Sequence, residues 1–420
     1  MIPIEPLQSP GDTGALIPHL FRREFSRIVA VLSRLFGLQH IEIAEDIAGE
    51  TFLAALEIWP YKGIPPNPTA WLYAIARNKA RNYLHRDQIF TVKVMPALTH
   101  GTPGAEEMEI DLTEKNISDS QLQMLFAVCH PSLSMESQIC LALRILCGFG
   151  IDEIATAFLT NKETINKRLF RAREKLRSGH SAIIFPAGAE FAQRLEAVLL
   201  TIYLLFSEGY YSESQDNVLR EDLCGEAMRL TRLLIDNAST HLPAVDALFA
   251  LMCFHASRFP ARKAANGEMI LYADQDEALW DQSLIAQGAW HLHQSSQGEM
   301  FSKYHLEAGI AYWHTIKTDS PEKWENILQL HNRLLRLAYS PVAALNRTFA
   351  LFKARGREEA IAAAEKLTLT ENPYYHMLLG ELYKEVDREK AADHLRNAKA
   401  LARTQADKQA IQRAISGLEA

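Results

Sequence analysis

Apolar residues recur three and four positions apart along most of this chain, which is the spacing of one buried face on an α-helix. Glycine and proline are sparse, at 20 and 17 of 420 residues, so few breaks interrupt the pattern. We therefore expect an all-α protein. In its first half the pattern predicts helices over residues 19–36, 41–59, 68–86, 120–129, 134–146, 151–159 and 162–177.

Breaks in the periodicity divide the chain into segments. The first 15 residues are punctuated by proline and glycine and predict a flexible leader, and an acidic stretch later in the chain loses helical periodicity. The predicted organisation is a leader at 1–15, a small helical domain at 16–88, an acidic linker at 89–119, a second small helical domain at 120–178, a linker at 179–189 and a large helical domain at 190–420.

The large helical domain contains a repeat. The sequence GREEA at 356–360 recurs as DREKA at 387–391, 31 residues later. That period and the alternation of small and large residues after it are typical of stacked helical hairpins of the tetratricopeptide type.

Residues 149–177 predict a helix-turn-helix. Small or apolar residues occur at the spacing that two crossed helices need to pack, and Thr160 or Asn161 can cap the second helix. The packing positions are Ile154, Ala155, Phe158, Ile165 and Leu169.

The second of these helices is strongly basic, with seven Lys or Arg and two Glu over 162–177. Such a helix suits the major groove of DNA, with its first residues reaching base edges and Arg171, Arg173 and Lys175 facing phosphates or solvent. An ordinary solvated amphipathic helix is the alternative. The candidate base contacts are Lys162, Glu163, Thr164, Asn166 and Lys167.

Two earlier helices carry further candidate surfaces. Asp46 and Glu50 lie four residues apart on one helical face and suit a basic partner surface, although plain solvation is the alternative. The helix at 68–86 interleaves basic residues with asparagines, a composition that suits single-stranded or melting DNA. Trp71 falls in its apolar stripe and is expected in the core.

The order of these parts resembles a bacterial RNA polymerase sigma factor of the extracytoplasmic-function group, in the sigma-70 superfamily. The motifs are AEDxxxExF at 44–52, WLYAIARNKARNYL at 71–84, the acidic linker and the helix-turn-helix. The resemblance implies a first domain that is sigma region 2 and a second that is region 4. Region 2 would bind core polymerase and melt the −10 promoter element, and region 4 would read the −35 element.

The resemblance also assigns residues. Core-polymerase binding falls on Asp46, Glu50 and Phe52; −10 binding on Arg77, Asn78, Lys79, Arg81, Asn82 and Arg86; and −35 binding on Lys162, Glu163, Thr164, Asn166, Lys167, Arg168 and Arg171. Gly49 departs from the family pattern, in which glutamine is usual. Beyond residue 200, LLFSEGYY at 204–211 and ALMCFHASRFPAR at 250–262 resemble the long tetratricopeptide-like extension of one subgroup. It would regulate activity, by folding back on the first two domains or by binding a protein or peptide partner.

Composition narrows the classes of protein to which this chain could belong. The net charge of −7 argues against indiscriminate nucleic-acid binding, and five cysteines without a C-x-x-C pair indicate a reduced, cytoplasmic protein. No signal peptide or membrane span is evident, so no membrane association is expected. Histidines cluster at 255, 291, 293, 305 and 314, but helix histidines with satisfied hydrogen bonds are favoured over a metal site. We expect no catalytic residue, metal or cofactor, and so no enzyme.

Two alternatives remain. An ordinary helix-turn-helix regulator with a helical effector domain would bind duplex DNA without polymerase, but it would not need the helices at 41–59 and 68–86. A helical scaffold protein with incidental basic helices would not bind DNA.

Overall fold

A computed structural model describes residues 11–86, 110–158, 160–178, 183, 185–210, 220–262, 270, 272–297, 301–402 and 405–419. Throughout these residues the regular secondary structure is helical and no strand occurs, which confirms the all-α prediction. The chain forms two compact units, Met1–Leu204 and Leu205–Ala420.

In the described residues, seven helices and the start of an eighth belong to the first unit. They are α1 (Gly11–Phe36), α2 (Ile41–Lys62), α3 (Pro68–Arg86), α4 (Glu114–Val128), α5 (Met135–Leu141, continued by a π-helical turn over Ala142–Leu146), α6 (Ile151–Ala157), α7 (Lys162–Ser178) and α8 (Ala189–Tyr210). Helix α2 ends where Gly63 adopts φ +81°, a left-handed conformation that favours glycine, and the Gly63 N–H donates to the Trp59 carbonyl.

The helix boundaries differ most from the prediction at the starts of two helices. Helix α1 begins at Gly11, so residues 11–15 of the predicted leader are helical. Helix α4 begins at Glu114, six residues before the predicted start, because the Thr113 hydroxyl caps it by accepting the Asn116 N–H. Residues 1–10 and 87–109 lie outside the described residues, and the second of these ranges includes 89–109 of the predicted acidic linker.

The helix-turn-helix is present as predicted. Ile154 and Ala155 of α6 are buried against Ile165 and Leu169 of α7, at 0–5% exposure. Of the two capping candidates, Asn161 caps α7, because its Oδ1 accepts the Thr164 N–H at 2.8 Å.

The first unit extends beyond the predicted domain boundary. Phe126 of α4 packs against Phe185 and Phe191, with ring centroids 4.9 and 5.9 Å away. Arg194 is 8% exposed and donates through Nη2 to the Phe126 carbonyl at 2.8 Å. The start of α8 is therefore part of the core around α4, and the unit ends at Leu204, inside the segment predicted as the C-terminal domain.

In the described residues the second unit contains the end of α8, the one-turn helix Phe259–Arg262 and ten longer helices. These are α9 (Glu221–Ile235), α10 (Pro243–Ala256), α11 (Gln282–Ser295), α12 (Lys303–Trp313), α13 (Pro321–Leu337), α14 (Pro341–Arg355), α15 (Arg357–Glu365), α16 (Pro373–Tyr383), α17 (Arg388–Leu401) and α18 (Gln405–Glu419). The two copies of the repeat begin equivalent helices, α15 at Arg357 and α17 at Arg388. Between α10 and α11 the described residues also form 3-10 turns at Tyr272–Asp274 and Glu277–Leu279.

Two histidines of the second unit are held by hydrogen bonds within the protein. His291 Nδ1 lies 2.6 Å from Asp246 Oδ1, and the Ser302 N–H donates to His305 Nδ1 at 3.0 Å. Burial lowers the pKa of His314 to about 3. Within the described residues no cluster of three or more His, Cys, Asp or Glu is arranged to hold a metal ion.

All five cysteines are buried free thiols. Burial raises the pKa of Cys129, Cys224 and Cys253 to about 12, because the thiolate is poorly solvated there. Among the helices that the structure describes, none combines the length and apolarity needed to cross a bilayer.

The contact between α10 and α11 depends on a glycine. A Cβ on Gly288 would lie 2.8 Å from a ring carbon of the fully buried Phe254. We predict that Gly288→Ala lowers the free energy of unfolding by about 1–3 kcal/mol through overpacking. Gly225→Ala is the matched control in α9, where a Cβ would meet nothing within 4 Å. It should stabilise by about 0.5–1 kcal/mol, because alanine is the better helix former. Urea unfolding of both variants checks this, and equal shifts of the same sign would contradict it.

Candidate nucleic-acid interface

Helix α2 presents an acidic face. Asp46 and Glu50 are exposed one helical turn apart, as their spacing predicts. Gly49 lies between them, and a Cβ there would meet no atom within 4 Å, so packing does not require glycine at this position. Phe52 behaves differently: it is 3% exposed and packs edge-on against Phe21 at 5.0 Å. Any role of Phe52 in binding a partner is therefore through positioning α2.

The sequence analysis missed an apolar part of the same face. Leu53 and Leu56 are 57% and 51% exposed on α2, beside the exposed Glu57. A group of exposed leucines next to carboxylates is typical of a protein-binding surface. The signal was available in the sequence, because positions 46, 50, 53 and 57 follow one another at helical spacing.

The predicted −10 residues lie on α3, and one contacts the acidic face. Lys79 Nζ is 2.7 Å from Glu50 Oε2, so the candidate polymerase and DNA surfaces adjoin. Both groups are partly exposed, and such a pair is weak enough to be exchanged for contacts to a partner. Asn78 and Asn82 are exposed, Arg81 is half-buried, and the Arg86 side chain lies outside the described residues.

Other groups on α3 support the fold. Arg77 donates through Nε to the Ile110 carbonyl at 3.1 Å, and this hydrogen bond connects α3 to the irregular segment that precedes α4. Tyr73 donates to Glu24 at 2.5 Å, and burial together with that hydrogen bond raises its pKa. Trp71 packs against Trp59 at 5.4 Å, in agreement with the core position expected for it.

The start of α7 presents the predicted −35 residues. Lys162, Glu163, Asn166 and Lys167 are exposed and Thr164 is half-buried, while the opposite face is buried. Lys162 pairs with Asp152 at 2.5 Å, and Lys167 with Glu163 at 2.6 Å. These are exposed surface pairs, so little free energy holds the lysines away from a ligand.

Further along α7 the basic side chains differ in exposure. Arg171 is exposed, but Arg168 is half-buried with Nη1 3.8 Å from Cys140 Sγ. The expectation that Arg173 faces phosphates or solvent is wrong in this structure, whereas Lys175 is exposed as expected. Arg173 pairs with Glu45, and Lys175 donates to the Ser132 carbonyl. The reason is that α7 packs its C-terminal half against the rest of the first unit.

Phe170 was also missed by the sequence analysis. It is 62% exposed on α7, four residues after Asn166, so most of this large aromatic side chain faces solvent. Its position on the face of Asn166 and Lys167 makes it available to a thymine methyl group or a sugar. Its spacing from the buried Ile165 and Leu169 could have revealed this exposure.

Comparison with known families shows which family domains the helices of the first unit form. Residues 20–89 match sigma-70 region 2, and residues 123–176 match sigma-70 region 4. The RNA polymerase sigma factor YlaC of Bacillus subtilis is 30% identical over 38% of this chain and 90% of its own length.

The chain belongs to the sigma-70 family.

Other relatives agree. The extracytoplasmic-function RNA polymerase sigma-E factor of Escherichia coli K12 is 32% identical over 31% of this chain and 70% of its own length. An uncharacterized protein of Rhizobium meliloti is 34% identical over 83% of the chain and 84% of its own length. Residues 194–296 match a family of unknown function, DUF6596. No solved structure matches the chain.

The family fixes the general activity. A sigma factor acts in transcription initiation, in association with core RNA polymerase and promoter DNA, and the family is not a family of enzymes. In this sigma factor, region 2 comprises α1 to α3 and region 4 comprises α4 to α7.

Proposed function

We propose that this sigma factor binds core polymerase through the exposed face of α2, opens the −10 element with α3 and reads the −35 element with the start of α7. The observation that carries the proposal is the exposure of all three surfaces within two matched sigma regions. The polymerase-binding face comprises Asp46, Glu50, Leu53, Leu56 and Glu57, which combine charge with apolar area. Phe52 positions the helix through its buried contact with Phe21.

The DNA-binding residues divide by role. On α3, Asn78, Lys79, Arg81 and Asn82 are placed to contact the backbone and bases of an opened strand, and Arg77 anchors the helix. On α7, Asn166 and Lys167 are placed for base edges in the major groove and Arg171 for phosphate. The ordinary helix-turn-helix regulator is the rival function, and the scaffold protein is a second rival.

We further propose that the second unit regulates the first. Its capped, paired helices resemble a tetratricopeptide-like array, in which a concave surface takes a protein or peptide partner. N-caps at Ser320, Ser340, Asn372 and Asp387 begin four of these helices in the same way, which supports a repeated hairpin unit. The first unit already contains both sigma regions, so the additional domain is free to act on their activity.

The polymerase-binding face is tested by charge reversal. We predict that Asp46→Arg/Glu50→Arg abolishes co-purification with core RNA polymerase. Each substitution replaces a negative charge with a positive one, so the net charge of the docking surface becomes more positive by about 4. The control is Glu358→Arg/Glu389→Arg, which makes the same change in charge at exposed positions of the second unit. Retained polymerase binding by the α2 variant would contradict the assignment. A wild-type chain that binds duplex DNA but never polymerase would favour the ordinary regulator.

The DNA-reading face is tested on a −35 duplex. Lys167→Glu and Arg171→Glu should each weaken binding and lower the slope of affinity against salt by about 1, because each removes a phosphate or base contact. Lys115→Glu, at an exposed position on α4, is the matched control and should leave both quantities nearly unchanged. Binding that ignores the α7 substitutions, measured by fluorescence anisotropy across a salt series, would support the scaffold alternative.

Regulation by the second unit is tested by two truncations. A chain ending at residue 185 loses Phe191 and Arg194 from the core around α4, so we expect region 4 to unfold at a lower temperature. A chain ending at residue 210 keeps α8 whole and isolates the regulatory question. We predict that its promoter-specific transcription in vitro differs from that of the full chain. Equal transcription by the longer truncation and the full chain would remove the regulatory role.

A further inference from the structure

Three cationic side chains lie close together inside the second unit. Arg258 follows the end of α10, Arg262 ends the one-turn helix after it, and Lys323 lies in the first turn of α13. Arg258 is 9% exposed and Lys323 is 2% exposed, whereas Arg262 is half-buried. We call these three residues the cation cluster. The cluster belongs wholly to the second unit, and neither sigma region contributes to it.

Two tyrosine side chains connect the members of the cation cluster. The Tyr210 hydroxyl accepts a hydrogen bond from Arg258 Nη2 at 3.0 Å, and the Arg262 guanidinium lies over the same ring, 3.9 Å from its centroid. The Tyr272 hydroxyl accepts from Lys323 Nζ at 3.2 Å, and Arg258 lies over that ring, 5.4 Å from its centroid. Each tyrosine therefore contacts two of the cations, so the three positive charges are neighbours.

The cation cluster has no counter-ion among the residues that the structure describes. No carboxylate there forms an ion pair with any of its three members, and Asp319, the acid whose charge acts on Lys323, is 58% exposed and pairs with Lys353 at 2.6 Å. A positive charge in the first turn of a helix, as at Lys323, also opposes the helix dipole. Tyrosine faces offset part of the cost of burying these charges, but an anion is the usual partner of a buried cation.

Two hydrogen-bond donors at the cation cluster lack an acceptor. Arg262 Nη1 and Trp280 Nε1 are buried and form no hydrogen bond with the described residues. Trp280 is 4% exposed, and its ring stacks on Tyr272 with the centroids 6.2 Å apart. Buried donors without an acceptor are unfavourable, so oxygen atoms of a bound group would satisfy a need that the protein leaves open.

Two neighbouring histidines respond to the excess of positive charge. Burial, followed by the charges of Arg258 and Lys323, lowers the pKa of His314 to about 3. Burial, followed by the charges of the two arginines, lowers the pKa of His255 well below its usual value. Both imidazoles are therefore neutral near pH 7, and the positive charge at this place is that of the cation cluster.

We propose that the cation cluster is a binding site for a ligand that carries a phosphate group. A phosphate monoester has a charge of about −1.5 to −2 near neutral pH and three acceptor oxygens, so it offsets more of the positive charge than a single carboxylate. The planar forks of two arginines match these oxygens. Arg262 and Tyr272 are only half-buried, which leaves the cluster open to solvent on their side. Both arginines fall within residues 194–296, the match to DUF6596.

Thermal unfolding of the full chain tests the phosphate site. Inorganic phosphate and phenyl phosphate are each compared with sodium chloride at equal ionic strength, because a specific ligand stabilises the folded state that binds it, whereas general screening is the same in all three solutions. We expect at least one of the two phosphates to raise the Tm with saturation, and the stronger one shows whether the site takes free phosphate or a phosphate ester. Equal Tm values in all three solutions would overturn the proposal. The measurement uses neither polymerase nor promoter, so its outcome is independent of the function proposed above.

Substitutions in the cation cluster distinguish a binding site from a purely structural role. Arg262→Met keeps a flexible apolar chain against Tyr210, and Lys323→Met likewise removes one buried charge. In chloride, each variant should be at least as stable as the wild type, because repulsion within the cluster falls. The affinity for the more effective phosphate, measured by isothermal titration calorimetry, should fall about tenfold or more, because each variant loses a charge-assisted hydrogen bond.

Two further variants complete this test. Arg333→Met, at an exposed position of α13 outside the cluster, is the matched control and should keep the wild-type affinity. Arg262→Lys keeps the charge but loses the guanidinium fork, so its affinity should lie between those of the wild type and Arg262→Met. Full phosphate affinity in folded Arg262→Met and Lys323→Met would show that the cluster only supports the fold, and would overturn the site.

Discussion

Helix α2 has to satisfy two environments at once, and the first unit is organised around that constraint. One face buries Ala44, Ile47 and Phe52 in the core of region 2, whereas the other exposes Asp46 and Glu50. Glu45 falls on the boundary between these faces, where a carboxylate is costly unless it is paired. Two arginines of region 4 provide that pairing. Their removal alone would leave the Glu45 charge uncompensated and lower the free energy of unfolding by about 3–5 kcal/mol. The burial pattern of a single helix therefore couples the two sigma regions.

Much of this architecture follows from local rules. Helical periodicity located α2, α3, α6 and α7 closely, because each buries one stripe against a neighbour nearby in sequence. Capping chemistry predicted that Thr160 or Asn161 caps α7, and in the structure Asn161 is the cap. The exposed carboxylates of α2 and the exposed start of α7 also lie where the pattern and the family resemblance indicated. These features depend on contacts within a few turns of helix, which a sequence displays directly.

What the sequence could not supply are contacts between distant positions. Glu45 meets Arg144 and Arg173, which are 99 and 128 residues away, and nothing near Glu45 distinguishes it from the exposed Asp46. The same limit explains Arg173, whose basic neighbours suggested a phosphate contact. It also explains the first half of α8, which packs against Phe126 although a breaker-rich segment precedes it. Leu53, Leu56 and Phe170 were missed for another reason: apolar residues on a helix are read as core unless their face is checked.

The burial of the cysteines has a consequence for how such a protein responds to its surroundings. Sulfur becomes a sensor when it is accessible and ionised, because the thiolate is the form that oxidants attack. Here every thiol is enclosed, and four of them have pKa values raised by burial, so almost none is ionised near neutral pH. Peroxide and disulfide reagents should therefore react slowly with these thiols while the chain is folded. A reagent can reach them only after the helices that enclose them open.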